Sequence, residues 1–296
     1  LEVARASGSR WAVTARGFNG RFADKLLVLI DGRSAYSPFF SCVFWEAEDV
    51  LLEDVDRIEV IRGPGATMWG ANAVNGVINI LTRNARRTQG GLATALVGNE
   101  GQRTGAVRWG AQVDEDTHYR LWAKSVRRDS VQASDGTPGA DDVDAVRAGF
   151  RLDRDLSGTA RVMATANVFD TKSGEVLLLP QLTPPYAART PTMQKNQGVN
   201  VLGKIDWTLD NGSQATLQVG LEHGRIAMEG VHAEDRTTLD VDFQNRFALT
   251  SRQDMVWGLG YRRSADTIHT PPASLATFLP AEQTQTLFSA FVHDEF

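Results

Sequence analysis

Cysteine is almost missing from this sequence. Cys42 is the only one among 296 residues, so an intrachain disulfide is impossible and a zinc site built from thiolates is excluded. We expect Cys42 to be a small buried residue. Long apolar runs are missing too, because aliphatic runs such as Leu26–Ile30 reach about five residues. A membrane-spanning helix needs roughly 20, so the chain can enter a bilayer only as a β-barrel.

The sequence lacks the motifs that are typical of several functional classes. The net charge of −5 argues against nucleic-acid binding, which uses a strongly basic face. No nucleophile motif, His-Glu-x-x-His zinc motif or phosphate-cradling loop is present, so we expect no catalytic residues, no enzyme and no cofactor. The histidines are scattered without metal-ligand spacing, which predicts no metal site. The acidic stretch Asp135–Asp144 is interpreted as a solvated loop rather than a calcium site.

The first 86 residues predict a small mixed unit. Leu26–Ile30 and Val77–Leu81 are apolar runs, and the second is continuous enough for a strand buried on both faces. Asp31-Gly32 is a strong turn pair. Ala47–Asp56 has apolar residues at helical spacing and predicts a helix, and Arg57–Ile61 alternates as a strand.

After Gly90 the hydrophobic period becomes two. In Val199–Leu209, for example, apolar residues alternate with polar or charged ones, so each predicted strand has one apolar and one charged face. A soluble antiparallel sandwich has the same alternation. The apolar rows carry aromatic residues towards the strand ends, which favours a membrane barrel with an aromatic girdle over the sandwich. These residues are Trp207, Trp257 and Tyr261.

Strand and loop lengths also favour a membrane barrel. The predicted strands have about ten residues, as a tilted bilayer crossing requires. Asp155–Gly158 and Asp210–Gly212 are tight turns, whereas Asp129–Asp142, Thr171–Asn196 and Ser264–Gln283 are predicted to be long loops. Short turns at one end and long loops at the other are typical of outer-membrane barrels. We predict about ten strands between Gly90 and Phe296, of the roughly 22 in a plugged barrel.

Three phrases carry a family resemblance. Val28–Arg33, Leu51–Gly65 and Trp69–Ile80 resemble, in order and spacing, the plug domain of TonB-dependent outer-membrane receptors. The resemblance implies a mixed α+β plug (residues 1–86) followed by part of a transmembrane antiparallel β-barrel (residues 87–296). The chain begins without a methionine or a signal peptide, and we expect it to be an interior part of a longer precursor. The family's TonB box has no counterpart in it.

The family implies an outer-membrane receptor of a Gram-negative bacterium that imports a scarce nutrient. A ferric siderophore or similar metal chelate is the leading expectation, and cobalamin, haem and oligosaccharides stay open. The implied partners are the TonB energy-transducing complex, a small-molecule ligand and outer-membrane lipid, with no nucleic acid. A signalling receptor coupled to an anti-sigma factor and a passive porin are the alternatives.

The resemblance also suggests site residues. Arg62 and Arg16 match plug arginines that pair with barrel glutamates in the family, and we expect them to form a plug–barrel latch. The loop Ser34–Trp45 matches a plug apex, where aromatic side chains either stack on a planar ligand or pack against the barrel: they are Tyr36, Phe39, Phe40, Phe44 and Trp45. Phe18, Asn19 and Arg21 are expected to form a second apex.

Overall fold

The computed structural model describes residues 1–8, 10–15, 17, 20, 22, 25–63, 65, 73–132, 136–137, 139–250, 252–272, 274 and 277–295. The strands are β1 Glu2–Arg5, β2 Trp11–Thr14, β3 Leu26–Ile30, β4 Arg33–Ser34, β5 Val55–Arg62, β6 Gly76–Thr82, β7 Gly90–Val97, β8 Arg103–Asp114, β9 Thr117–Arg128, β10 Val143–Ser157, β11 Ala160–Pro180, β12 Ala187–Thr208, β13 Gln214–Met228, β14 His232–Thr250, β15 Gln253–His269 and β16 Glu282–Glu295. Short 3₁₀ turns occupy Phe39–Ser41, Leu52–Asp54 and Ala85–Arg87.

Strands β1 to β6 form an N-terminal unit. Its main sheet has the order β4-β3-β6-β5, with β3 parallel and β5 antiparallel to the central strand β6. Val77 and Ile78 are both buried but belong to different apolar clusters, one on each face of β6. The prediction of a strand buried on both faces is therefore confirmed. Cys42 is buried as expected.

The turn after β3 follows the sequence prediction, and the predicted helix does not. Asp31 and Gly32 have φ angles of 52° and 96°, the left-handed pair that a tight type I′ hairpin requires. Ala47–Asp56 was predicted to be helical, which is wrong: only Leu52–Asp54 forms a 3₁₀ turn, and β5 already begins at Val55. An irregular backbone spreads the carboxylates of this segment along the neighbouring sheet, where they find separate cationic partners.

Strands β7 to β16 form one antiparallel sheet in which every strand pairs with its sequence neighbours. The prediction of ten strands after Gly90 is confirmed. The strands are longer than predicted, up to 22 residues in β12. Thr171–Asn196 is not a loop, since β11 and β12 stay in register as far as Pro180 and Ala187. This hairpin continues because backbone groups still need partners beyond the length of a bilayer crossing.

The connections alternate in length as the sequence indicates. The tight turns at 158–159 and 209–213 lie at one end of the sheet, which we call the short-turn end. The connection 129–142 lies at the opposite, long-loop end and matches its predicted bounds. The other predicted loop, Ser264–Gln283, is shortened to 270–281 because β15 continues to His269.

Burial in the large sheet is the reverse of a soluble sandwich. In β10 the charged residues Arg147 and Arg151 are at most 9% exposed, whereas Val146, next to Arg147, is 56% exposed. The charged row faces the N-terminal unit, and the apolar row faces outward. Trp207, Phe243 and Trp257 form a chain of ring contacts near the short-turn end, with centroid distances of 6.3 and 5.3 Å.

No helix among the described residues has both the length and the apolar character needed to span a membrane.

Candidate functional site: the interface between the N-terminal unit and the large sheet

Asp54 is a deeply buried carboxylate of the plug at this interface. It is 2% exposed at the end of the 3₁₀ turn, and it faces two arginines of the large sheet. Arg108 of β8 donates to its Oδ1 at 2.5 Å, and Nε of Arg120 of β9 lies 3.1 Å from its Oδ2. Breaking a buried charge pair leaves an uncompensated ion, so these contacts hold the segment firmly.

Asp49 neutralises a second pair of cations. Its Oδ2 lies 2.8 Å from Nζ of Lys124 on β9 and 3.3 Å from Nη1 of Arg147 on β10. Arg147 also donates to the backbone carbonyl of Glu46 at 2.6 Å. Residues 46–54, which we call the acidic segment, are therefore held to β8, β9 and β10 by side-chain and backbone contacts.

The strand register explains why the sheet needs these carboxylates. Lys124 lies directly opposite Arg147, and Arg120 lies directly opposite Arg151. Like charges at directly opposed positions destabilise a sheet. Asp49 contacts both members of the first pair, and Asp54 contacts Arg120 of the second. Arg151 donates to Asp153 of its own strand at 2.7 and 2.8 Å, so the N-terminal unit supplies the closest counter-charge for three of these four cations.

Arg10 joins the N-terminal unit to β11 and β12. The arginine is 3% exposed and pairs with Glu46 of its own unit. Its Nη2 lies 3.3 Å from Glu175 of β11 and donates to Gln194 of β12 at 3.1 Å. Gln194 in turn donates to Glu46 at 3.1 Å, which closes a small buried network.

Arg33 makes the corresponding link to β13. It binds Glu48 at 2.6 Å within its own unit and Glu222 of β13 at 2.8 Å. Burial lowers the pKa of Arg33, but the carboxylates of Glu48 and Glu222 outweigh this and raise it above the ordinary value. Arg236 of β14 approaches Glu222 to 3.6 Å and donates to the hydroxyl of Ser37.

The hairpin residue Asp31 ties the unit together near the short-turn end. It accepts hydrogen bonds from the backbone and hydroxyl of Thr82, both at 2.8 Å. Arg151 of β10 donates to the same hydroxyl at 2.8 Å and lies 3.5 Å from Asp31. The two central strands of the N-terminal sheet, β3 and β6, are thus joined to β10 where Asp31, Thr82 and Arg151 meet.

An aromatic cluster lies at the long-loop end. Phe39 and Phe40 are in ring contact with centroids 4.3 Å apart, and Phe40 stacks on Phe22 at 4.8 Å. His232, the first residue of β14, and Phe278, from the β15–β16 connection, lie 5.0 and 5.7 Å from Phe39. Phe40 is 45% exposed, so the cluster presents a ring face to the outside.

Comparison with known proteins identifies this architecture. The family model described as TonB-dependent Receptor Plug Domain matches residues 2–77. Residues 2–77 thus match the plug domain of TonB-dependent receptors, and the chain as a whole is similar to part of such a receptor. The N-terminal unit is its plug, and the large sheet is part of its β-barrel.

The curated relatives are transporters and receptors, not enzymes. The vitamin B12 transporter BtuB of Vibrio cholerae serotype O1 is 31% identical over 153 residues, which is 51% of this chain and 24% of that protein. The ferric enterobactin receptor PirA of Pseudomonas aeruginosa is 29% identical over 187 residues, covering 57% and 25%. The chain therefore spans about a quarter of the length of these relatives.

Solved structures share the fold. The siderophore receptor PirA from Pseudomonas aeruginosa superposes with a TM-score of 0.65 at 18% identity, over 92% of this chain and 45% of that one. Because the identity is low, this likeness shows the architecture alone.

The predicted apex loop divides into two groups of aromatic residues. Phe39 and Phe40 belong to the outward-facing cluster, and Tyr36 lines a cavity between the plug and strands β13–β16. Phe44 is 7% exposed and faces the barrel wall, whereas Trp45 packs against the plug core. Contact of Phe44 and Trp45 with a ligand stays a prediction. Phe18, Asn19 and Arg21 of the second apex lie outside the described residues.

The predicted latch residues are not tested by these contacts. Arg16 lies outside the described residues. Arg62 is exposed at the end of the plug's edge strand β5, and no hydrogen bond or ion pair joins its side chain to another described residue. The pairing of both arginines with barrel glutamates stays a prediction.

Sequence reasoning missed the plug arginines that do pair with the barrel, Arg10 and Arg33. It also assigned no site role to the acidic residues around Asp54. A signal was present in the barrel strands, where basic residues recur on the charged faces of β8 to β10. Among the described residues, no group of three or more His, Cys, Asp or Glu side chains is arranged to hold a metal ion.

Proposed function

We propose that the parent receptor imports a scarce nutrient across the outer membrane, with energy from the TonB complex of the inner membrane. The observation that carries this proposal is a plug held against the barrel's charged inner face by discrete ion pairs. Polar contacts of this kind hold at rest and can be exchanged for water one by one. A fused apolar core would resist such exchange.

The family implies an outer-membrane location. We propose in addition that β7 to β16 cross the membrane as part of a multi-pass β-barrel. Outward-facing residues such as Val146 and Leu221 are at least half exposed and suit contact with lipid. The ring contacts of Trp207, Phe243 and Trp257 suit the aromatic girdle at one membrane interface. The short-turn end then faces the periplasm, and the long-loop end faces outward.

The proposed cargo is a ferric siderophore or a similar metal chelate. The relatives are named for vitamin B12 and ferric enterobactin, both of them bulky metal complexes. The aromatic cluster at the outer end supports this class, because ring faces stack well on planar groups. Phe39, Phe40 and Tyr36 are the proposed contacts, and Arg62 and Arg16 are proposed latch residues for barrel glutamates outside residues 87–296.

Uptake by whole cells tests the proposal. A strain that lacks the receptor, with and without a plasmid for the full-length protein, would be given ⁵⁵Fe-enterobactin or ⁵⁷Co-cyanocobalamin. We expect one of these probes to accumulate only when both the receptor and TonB are present. Equal accumulation without TonB would instead indicate passive diffusion, and no accumulation of any chelate in a wider panel would refute the cargo class.

The aromatic cluster is tested by Phe40→Ala in the same assay. Loss of one ring contact is worth up to about 1.5 kcal/mol, so we expect the half-saturating probe concentration to rise about tenfold. Leu182→Ala is the matched control, since Leu182 is 83% exposed in the β11–β12 connection. An unchanged half-saturating concentration for Phe40→Ala would remove the cluster from the binding site.

A further inference from the structure

The plug contacts the barrel wall unevenly. Its ion pairs reach β8, β9 and β10 through Asp54 and Asp49, β11 through Arg10 and β13 through Arg33. The contacts with β14 are the hydrogen bond from Arg236 to Ser37 and the ring contacts of Phe39 and Phe40 with His232. Among the residues that the structure describes, no hydrogen bond or ion pair joins the plug to β15 or β16. Within the part of the wall that this chain contains, the described ion pairs of the plug therefore lie on β8 to β11 and on β13.

The space between plug and wall differs from place to place along the sheet. Behind the acidic segment, against β9 to β12, the cavity measures only about 50 Å³. Between the loop 33–38 and strands β13 to β16, the cavity measures about 300 Å³. A larger space of about 430 Å³ opens at the short-turn end. Arg151 and Asp31, which lie 3.5 Å apart, line both this space and the small cavity behind the acidic segment.

The lining of the β13–β16 cavity suits movement of a polar solute. Asp240 and Arg262 are directly opposed on β14 and β15 and form an ion pair, so neither presents an uncompensated charge. Thr238 and Ser264 share a hydroxyl hydrogen bond at 3.1 Å. Tyr36 and Gln285 add further uncharged polar groups. A wall of this kind binds polar solutes weakly enough to let them leave, as conduction requires.

From this asymmetry we infer that the acidic segment keeps the plug attached to β8–β10 during transport, while the solute passes along the cavity lined by the loop 33–38 and strands β13–β16. The inference rests on the proposed import function and names the part of the wall that the solute follows. The inference requires the contacts between the plug and strands β13–β16 to break during transport. The ion pairs of Asp54 with Arg108 and Arg120 must stay formed. A plug that left the barrel as one body would open both sides together.

Thiol labelling of the full-length receptor in its native outer membrane tests this directly. Thr238 and Thr165 are matched positions, since both are partly buried threonines on inner faces, one in the proposed passage and one behind the acidic segment. Each would be changed to cysteine in a Cys42→Ser background. The probe is a membrane-impermeant methanethiosulfonate that carries a trimethylammonium group, and total thiol is counted after denaturation.

In cells with an active TonB complex, we expect Thr238→Cys to be labelled at least tenfold faster than Thr165→Cys. Without TonB, the labelling of Thr238→Cys should fall. Equal TonB-dependent labelling at both positions would overturn the inference, because it would mean that the side of the acidic segment opens as well. This readout needs no cargo, so a failure to find the transported nutrient would leave it intact.

A steric block provides the second measurement. Gly220 lines the passage, and a Cβ there meets its nearest atoms at 3.7 Å, so a side chain fits without backbone strain. Gly203 pairs with outward-facing Val219 and has nothing within 4 Å of a Cβ, which makes it the lipid-side control. With the probe that the uptake assay identifies, Gly220→Trp should lower the transport rate at least tenfold without lowering surface binding. Gly203→Trp should not. Unchanged transport in a stably expressed Gly220→Trp receptor would refute the route.

Discussion

Two parts of the barrel wall differ in how their buried charges are neutralised. In β9 and β10, register places Lys124 opposite Arg147 and Arg120 opposite Arg151, so like charges face each other. In β14 and β15, register places Asp240 opposite Arg262, so opposite charges face each other. In the first region Lys124, Arg147 and Arg120 have carboxylates of the plug as partners, whereas Arg151 binds Asp153 of its own strand. In the second region the pair of Asp240 and Arg262 is neutral by itself. The comparison shows that the wall's own pairing decides where the plug is held.

The largest effect is expected at Asp54. In Asp54→Asn, two nearly buried arginines lose their shared counter-ion, and breaking such a pair costs about 3–5 kcal/mol. The urea concentration that exposes the plug of the full-length receptor to protease should fall accordingly. Asp155→Asn is the control, because its partners Arg86 and Arg161 are mostly exposed and such pairs are worth about 0–1 kcal/mol. Equal shifts in both variants would show that the contacts of Asp54 have no special strength.

An intermediate effect is expected at Asp49. This carboxylate is more accessible than Asp54, but it separates Lys124 from Arg147. Asp49→Asn should lower the stability of the plug–barrel contact by about 1.5–3 kcal/mol, the range for hydrogen bonds to charged groups. The same urea and protease measurement applies. Adding Lys124→Met to Asp49→Asn should restore part of the loss, because the like-charge pair is then removed; a further loss would contradict the charge argument.

The smallest effect is expected at Asp240, on the wall that is neutral by itself. Asp240→Asn removes a cross-strand ion pair with Arg262, worth about 0.2–1 kcal/mol. Thermal unfolding of the barrel should change slightly, and the urea concentration that releases the plug should not change. If plug release shifts as much as in Asp49→Asn, the distinction between the two walls is wrong.

Much of the architecture follows from local patterns. Alternation after Gly90 predicts ten strands, because a two-residue period is an intrinsic property of a strand with different environments on its two faces. Asp31-Gly32 specifies its turn, because few residue pairs accept positive φ at both positions. Val77–Leu81 specifies a central strand, because a continuous apolar run must be buried on both sides.

The sequence by itself determined the period of the strands, the order of plug and barrel, and the excess of basic residues on β8 to β10. The tertiary structure alone decided which of these charges meet. Asp49 and Asp54 are five residues apart and suit a helix, yet each binds a different pair of cations on the wall. Strand register fixes those pairs, and register depends on contacts between residues far apart in the chain. For this reason the helix prediction failed and the anchoring role of Asp54 was visible only in the folded protein.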